Sequence, residues 1–204
     1  MYSILLEEGD SLKELLAEFR ASIVVTVMLA FLVCGLYPVV VWGIAQAAFP
    51  EKANGSLLKV GGNILGSSLI GQGFKGQAYF HPRPSAAGQG YDAANSGGTN
   101  LGPTSKRLIE DVRSRIAAYR AENGLPTESM VPADAVTTSA SGLDPHISLA
   151  NAMDQAGRVA AARGLTKEDV LKRVRVHAEG RTLGILGEPR VNVLMLNLDL
   201  DGKL

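Results

Sequence analysis

Only one cysteine occurs in the 204 residues, Cys34, and it sits inside a long apolar run. The rest of the chain therefore carries no thiol that would report an oxidising or a reducing compartment. Histidine is scarce too: His81, His146 and His177 are isolated, with no cysteine or second histidine at metal-ligand spacing. A Gly-x-Ser-x-Gly elbow is absent, so no activated serine is marked. Net charge is zero, and no concentrated basic face offers itself to nucleic acid. What remains for the histidines is a solvated or hydrogen-bonded structural role, and for the carboxylates a place on solvated helix surfaces.

A further absence is positional. Between Ala21 and Pro50 no residue is charged, and a membrane-spanning helix needs only ~20 such residues at 1.5 Å each. The reading is a transmembrane helix over 21–49, in which Pro38 should kink or loosen the helix. Trp42 and Phe49 lie toward one end, as interfacial aromatics do. A cleaved signal peptide is the competing reading, with Ala45-Gln-Ala47 as a small-x-small site. The run, however, exceeds the usual h-region and follows an acidic segment, not a basic one. Lys13 and Arg20 before the span balance Lys52 and Lys59 after it, so the positive-inside rule does not orient it. Residues 1–20 hold five acidic and two basic side chains. Within them Ser11-Leu-Lys-Glu14 forms a capping-box pattern ahead of Leu12, Leu15, Leu16 and Phe19 at helical spacing, which predicts a short amphipathic helix.

Glycine, by contrast, is abundant. Gly71-Gln-Gly73-Phe-Lys-Gly76 matches G-x-G-x-x-G, but a dinucleotide loop requires a helix to start at the last glycine. Here Pro82 and Pro84 follow closely, and they forbid it. The spacings Gly66 to Gly71 and Gly71 to Gly76 are followed by Gln72 and Gln77, where a P-loop has lysine, so the phosphate-gripping ammonium is missing. Across 53–105 twelve glycines occur with only Lys59, Lys75, Arg83 and Asp92 charged. Such composition suggests a linker. Leu57, Leu58, Val60, Ile64, Leu65, Leu69, Ile70, Phe74, Tyr79 and Phe80 are threaded through it, however, and predict short strands and tight turns.

Further along, Thr104 and Ser105 cap a predicted helix to about Glu122, with Leu108, Ile109, Val112, Ile116 and Tyr119 on one face and Asn123-Gly124 as its stop. A second helix is expected over Leu149–Arg163 with Leu149, Met153, Ala156, Val159 and Ala160 inward. A third is expected from the Thr166 capping box to about Ala178, with Val170, Leu171 and Val174 inward. The run Arg190–Leu198 reads as a buried strand. The fold expected is one N-terminal transmembrane helix plus a mixed α/β soluble domain, residues 51–204, with a glycine-rich, short-strand region and about three helices.

Several blocks now fall into one order: "ANGSL" (53–57), "GSSLIGQGFKGQAYFHPRPSA" (66–86), "SGGTNLG" (96–102), "TSASGLDPHIS" (138–148), "GRVAAARGL" (157–165) and "GEPRVNVLMLNLDLD" (187–201). Together they resemble the C subunit of the Kdp potassium-transporting P-type ATPase, from about Val24 to the end of the chain. The resemblance implies a non-catalytic subunit of a bacterial inner-membrane complex. Its partners would be a channel-like potassium-translocating subunit, an ATP-hydrolysing subunit and a small one-helix subunit. It also implies a cytoplasmic N-terminus, residues 51–204 in the periplasm, and potassium as the ion transported. The Asp-Lys-Thr-Gly string of an aspartyl-phosphate site is absent from this chain.

For this family a chaperone-like role has been assigned, raising the ATP affinity of the hydrolysing subunit. Ser96-Gly97-Gly98-Thr-Asn100 is similar to the Ser-Gly-Gly-x-Gln signature of transporter ATPases, with Asn100 where that signature has glutamine. The residues themselves call for no cofactor or metal; the resemblance brings in ATP. Two expectations follow. One is an interaction subunit whose span packs against the channel-like partner and whose glycine-rich surface covers the outer mouth and shapes ion entry. The other is a nucleotide-responsive regulator acting through Gln72, Ser96, Gly97, Gly98 and Asn100. A periplasmic domain has no direct access to cytoplasmic ATP, which weighs against the second.

Overall fold

The computed structural model describes the backbone of residues 2–204 and the side chains from Leu12 onward. The chain divides into two units, Met1–Gly55 and Ser56–Leu204.

In the first unit the helix α1 (Tyr2–Ala30) runs through a π-helical stretch, Phe31–Leu36, into α2 (Tyr37–Ala48). Ser11 of the expected capping box lies outside the residues whose side chains are described. Over Leu12–Ala48 this is a helix long and apolar enough to cross a membrane, and its most apolar stretch has no buried residue. Its 37 residues span about 55 Å, against a hydrocarbon core of about 30 Å. The expected loosening at Pro38 takes a definite form. A proline ring collides with the carbonyl four residues back, which is that of Cys34, inside the π-helical stretch. There the Tyr37 N–H reaches Leu32 O, and the wider turn makes room for the ring. After α2 the backbone breaks at Phe49, ahead of Pro50, and a short helix α3 (Pro50–Ala53) follows. Asn54 closes the corner by donating to Pro50 O at 2.7 Å and Gln46 Oε1 at 3.1 Å.

The second unit opens with an antiparallel hairpin, β1 (Leu57–Val60) and β2 (Asn63–Ser67), turning at Gly61-Gly62. From 68 to 105 neither helix nor strand forms, so the short strands expected across 53–105 are confined to that hairpin. Then come α4 (Lys106–Asn123), α5 (Ala133–Val136), β3 (His146–Ser148), α6 (Leu149–Arg163), α7 (Lys167–Val176), β4 (Ala178–Glu179), β5 (Arg190–Asn192) and α8 (Val193–Leu200). The strands β3, β5 and β4 make an antiparallel sheet in that order.

Caps explain why the helices begin and end where the sequence says. Ser105, Ser148 and Thr166 accept the first free N–H groups of α4, α6 and α7, and Gly124 and Gly164 stop α4 and α6 in the left-handed region. The expected strand over Arg190–Leu198 is corrected. It ends at Asn192, whose side chain accepts the Met195 N–H and starts α8. Val193, Leu194, Leu196 and Leu198 are all buried, and an element covered on every side has no periodicity to separate strand from helix. Met153 and Ile109 stand exposed, not inward. The inner face of α6 is Ala152, Ala156, Val159 and Ala160, packed with Phe80, Ile147, Val170, Val174, Val191, Val193 and Leu196.

Candidate functional site

The glycine-rich coil is held to the helices by polar side chains, and the stretch Gln77–His81 shows how. It has no strand beside it, yet its five carbonyls and the N–H groups of Tyr79, Phe80 and His81 are paired. Asn197 accepts from the Phe80 N–H at 2.8 Å and donates to Phe80 O at 3.0 Å. Gln155 treats His81 the same way, at 2.7 and 3.0 Å. Arg158 donates to Gln77 O and Tyr79 O, and Arg163 to Ala78 O. Arg163 also stacks over the Tyr79 ring at 5.0 Å and pairs with Asp201 at 2.8 Å. Behind this row, Gln155 donates to Asn151 Oδ1, which also accepts from the Tyr119 hydroxyl. Burial pushes the Tyr119 phenol up, with Asp154 and Asp134 adding to it, and burial lowers the Arg158 guanidinium.

The next part of the coil is laid on residues 138–144. Ser85 Oγ donates to Gly142 O at 2.6 Å and accepts from the Tyr91 N–H, while the Tyr91 hydroxyl donates to Arg83 O at 2.7 Å. Burial pushes the Tyr91 phenol up to about 12. Two glycines permit this contact. Gly71 donates to Leu143 O, and a Cβ there would lie 2.7 Å from Asp144 O. Gly142 has φ +67, and a Cβ would meet Ala87 N at 2.6 Å and Gly97 O at 2.7 Å. Arg83 donates to Asp144 at 3.1 Å and to Thr138 O at 3.2 Å. Burial alone would raise the Asp144 carboxyl, but bonds from the His146 side chain and backbone and from Arg83, with its charge, hold it below the usual carboxylate value.

The residues singled out in the sequence fall into two places. Gln72 is half-buried and lies across Gly66, where an added Cβ would collide with its amide. The loop Ser96–Asn100 is stapled to the 138–144 segment: Ser96 Oγ and the Gly97 N–H both donate to Ser141 O, at 3.1 and 2.9 Å. Two donors that an anion nest would have offered are thereby turned inward. Asn100 is exposed at φ +50. Among the described residues no hydrogen bond joins Gln72 to this loop. Each histidine faces a carboxylate: His81 Glu122, His146 Asp144 and His177 Asp199.

A cavity of about 530 Å³ lies beside Arg83, Asp144, His146, Glu188 and Arg190. These charges are matched within the chain, Arg190 by Glu179 and Glu188 by Arg181. Asn151, Gln155, Arg158 and Asn197 were not singled out by the sequence. The available signal was their spacing, since Asn151, Gln155 and Arg158 recur at four and three residues on the same face as Ala152 and Val159.

The comparisons with known proteins cover this whole arrangement. The profile of the KdpC family, described as "K+-transporting ATPase, c chain", matches residues 19–202. The chain belongs to the KdpC family. The "Potassium-transporting ATPase KdpC subunit" of Nitratidesulfovibrio vulgaris is 58% identical over 183 residues, which is 89% of this chain and 92% of that protein. The proteins of the same name from Koribacter versatilis and Rhodospirillum rubrum are 51% and 53% identical, covering 93% of this chain and 95% and 97% of their own lengths. The KdpC match begins at residue 19, so most of the acidic segment lies outside it. It takes in the apolar helix, the glycine-rich coil and the polar row that holds it. This chain is thus a subunit of a potassium-transporting ATPase, with one candidate membrane helix near its N-terminus.

Proposed function

We propose that the chain is a non-catalytic accessory subunit of an ATP-driven potassium-uptake complex in a bacterial inner membrane. The helix Leu12–Ala48 packs against a channel-like potassium-translocating subunit, in a complex that also holds an ATP-hydrolysing subunit and a small one-helix subunit, with its N-terminus cytoplasmic. The domain from Ser56 lies on the periplasmic side, covers the outer mouth of the channel-like partner, stabilises the assembly and shapes ion entry. Potassium is the ion transported, and the chain carries no cofactor of its own.

The observation that carries this reading is where the polar groups of the glycine-rich coil go. They are used inside the domain, on Asn197, Gln155, Arg158, Arg163 and Ser141. This builds a fixed surface, and it pairs no nucleophile with an orienting base. The uncovered apolar helix supports it too, since such a face is stable only against lipid or other helices. The competing reading, a regulator that raises ATP affinity through Gln72 and Ser96–Asn100, has less support because the Ser96 and Gly97 donors are spent on Ser141.

Deleting residues 1–50 and co-expressing the remainder with the other ATPase chains tests the proposal. Loss of the assembled, potassium-stimulated ATPase from detergent extracts is the expected result. An intact, active complex after that deletion would overturn it.

A further inference from the structure

Between β4 and β5 the chain leaves the domain, and every residue from Glu179 to Pro189 is exposed. Loops of this kind are ordinarily polar and mobile. This one carries Leu183-Gly184-Ile185-Leu186 at its tip, with Leu183 85%, Ile185 75% and Leu186 57% exposed. It is also ordered. Thr182 and Leu186 exchange two backbone hydrogen bonds, of 2.8 and 2.9 Å. Arg181 donates to both carboxylate oxygens of Glu188, and Arg190 clasps Glu179 at 3.0 Å across the base. Leu183 has φ +55, a conformation that glycine adopts freely and that a side chain with Cβ disfavours. A loop that needed only to turn would place glycine or asparagine there. Three apolar side chains are therefore held out in fixed geometry at a cost in backbone strain, with no cover from the domain.

We propose that Leu183, Ile185 and Leu186 form an anchor that inserts into an apolar groove on another polypeptide chain of the potassium-transporting ATPase. This rests on the accessory-subunit reading above. The charges around the tip decide between a protein and a lipid surface. Anionic headgroups are met by unpaired lysines and arginines and by interfacial Trp or Tyr. Residues 179–190 contain no aromatic and no lysine, and both arginines are paired with glutamates. An apolar centre within a charge-balanced polar rim is the anatomy of a protein–protein contact. A second copy of this chain is a poorer host: charged residues make up about half or more of the lining of the cavity beside Arg83 and of that beside Asp169, Lys172, Arg173 and Asp199, and the less charged one beside Pro82, Pro84 and Tyr119 holds only about 200 Å³.

The test uses the full-length chain co-expressed with the other ATPase chains. A photoreactive benzoylphenylalanine at position 183 should form a covalent adduct with another ATPase chain on illumination of membranes. An adduct with a second copy, with lipid alone or with nothing overturns the anchor. In parallel, Leu183→Gly, which suits the left-handed backbone, should keep the thermal midpoint of the full chain unchanged or higher. Yet it should weaken recovery of the other chains on an affinity-tagged subunit, and Leu183→Gly combined with Ile185→Ser and Leu186→Ser should reduce recovery about tenfold or more. Full recovery with the triple variant overturns the anchor and leaves the accessory reading standing. Failure of the unaltered chain to recover any ATPase chain overturns both.

Discussion

Asn197, buried in α8, closes two hydrogen bonds with the backbone of Phe80, one accepted from its N–H and one donated to its carbonyl. This is the pairing that a neighbouring strand would supply, provided here by one amide side chain 117 residues away. Gln155 repeats it at His81, and Arg158 and Arg163 satisfy the carbonyls before it. A buried peptide group left unpaired is costly. A coil without helix or strand can therefore be buried in one conformation only if side chains take over the ladder, and four residues on α6 and α8 do so.

Replacing Asn197 by leucine leaves the Phe80 N–H and carbonyl buried without partners. Each such loss costs ~1–3 kcal/mol, so Asn197→Leu should destabilise the domain by roughly 2–5 kcal/mol. The measurement is denaturant unfolding of the detergent-solubilised chain, followed by tyrosine near-ultraviolet circular dichroism. Tryptophan fluorescence would not serve, as the single tryptophan, Trp42, lies in α2. A variant within about 0.5 kcal/mol of the parent, the range of an ordinary surface change, would show that the amide is not required.

Gly142 and Gly124 have nearly the same backbone, φ +67 and +63, but different surroundings. An added Cβ at Gly124 meets nothing within 4 Å, whereas at Gly142 it would sit 2.6 Å from Ala87 N. Gly124→Ala should therefore cost about 1 kcal/mol, the left-handed penalty alone. Gly142→Ala should cost about 3 kcal/mol or more, because the 83–100 coil must move off its seat. The same unfolding experiment compares the two, and equal costs would mean that the close approach carries no energy.

Most helix boundaries were legible because caps are local: Ser105, Thr166, Gly124 and Gly164 act on groups a few residues away. The membrane helix was legible because thirty residues without charge admit few readings. The α8 helix was not, since a run buried on all sides shows neither period, and Asn192 as its cap was the one clue. Nor was the polar row. Asn151, Gln155 and Asn197 are ordinary helix residues until the coil they hold is folded against them. Gln155 and Asn197 find their coil partners 74 and 117 residues away, and although the spacing along α6 marks a polar face, it does not say which distant backbone that face will meet.

Asp144 gives the domain a defined response to acid. Its native carboxyl lies below the ordinary value of 3.8, through His146 and Arg83 acting against burial. A depressed native pKa contributes stability that is complete above the unfolded value and lost as pH falls through the native one. The unaltered chain should therefore lose stability as pH drops below about 4, where the unfolded chain takes up this proton first. Asp144→Asn should flatten that limb by up to one proton, about 1.4 kcal/mol per pH unit. Unfolding free energies measured from pH 7 to 2.5 decide it: parallel curves would remove Asp144 from the acid response.

Gln72 and Asn100 discriminate the two readings of the subunit itself. Gln72 fills the space over Gly66, and Asn100 occupies an exposed left-handed position beyond a loop already fastened to Ser141. Gln72 is occupied with Gly66, and the Ser96 and Gly97 donors that precede Asn100 are already used on Ser141. In the assembled ATPase, Gln72→Ala with Asn100→Gly should leave the half-saturating ATP concentration within about twofold of the parent. A genuine coupling between sites would move it by about fivefold or more. Asn100→Gly suits the left-handed backbone, so a change in ATP dependence could not be ascribed to strain there. Measuring ATP hydrolysis against ATP concentration at saturating potassium makes the comparison. A rise of about fivefold with unchanged subunit recovery would establish the regulator reading in place of the accessory one.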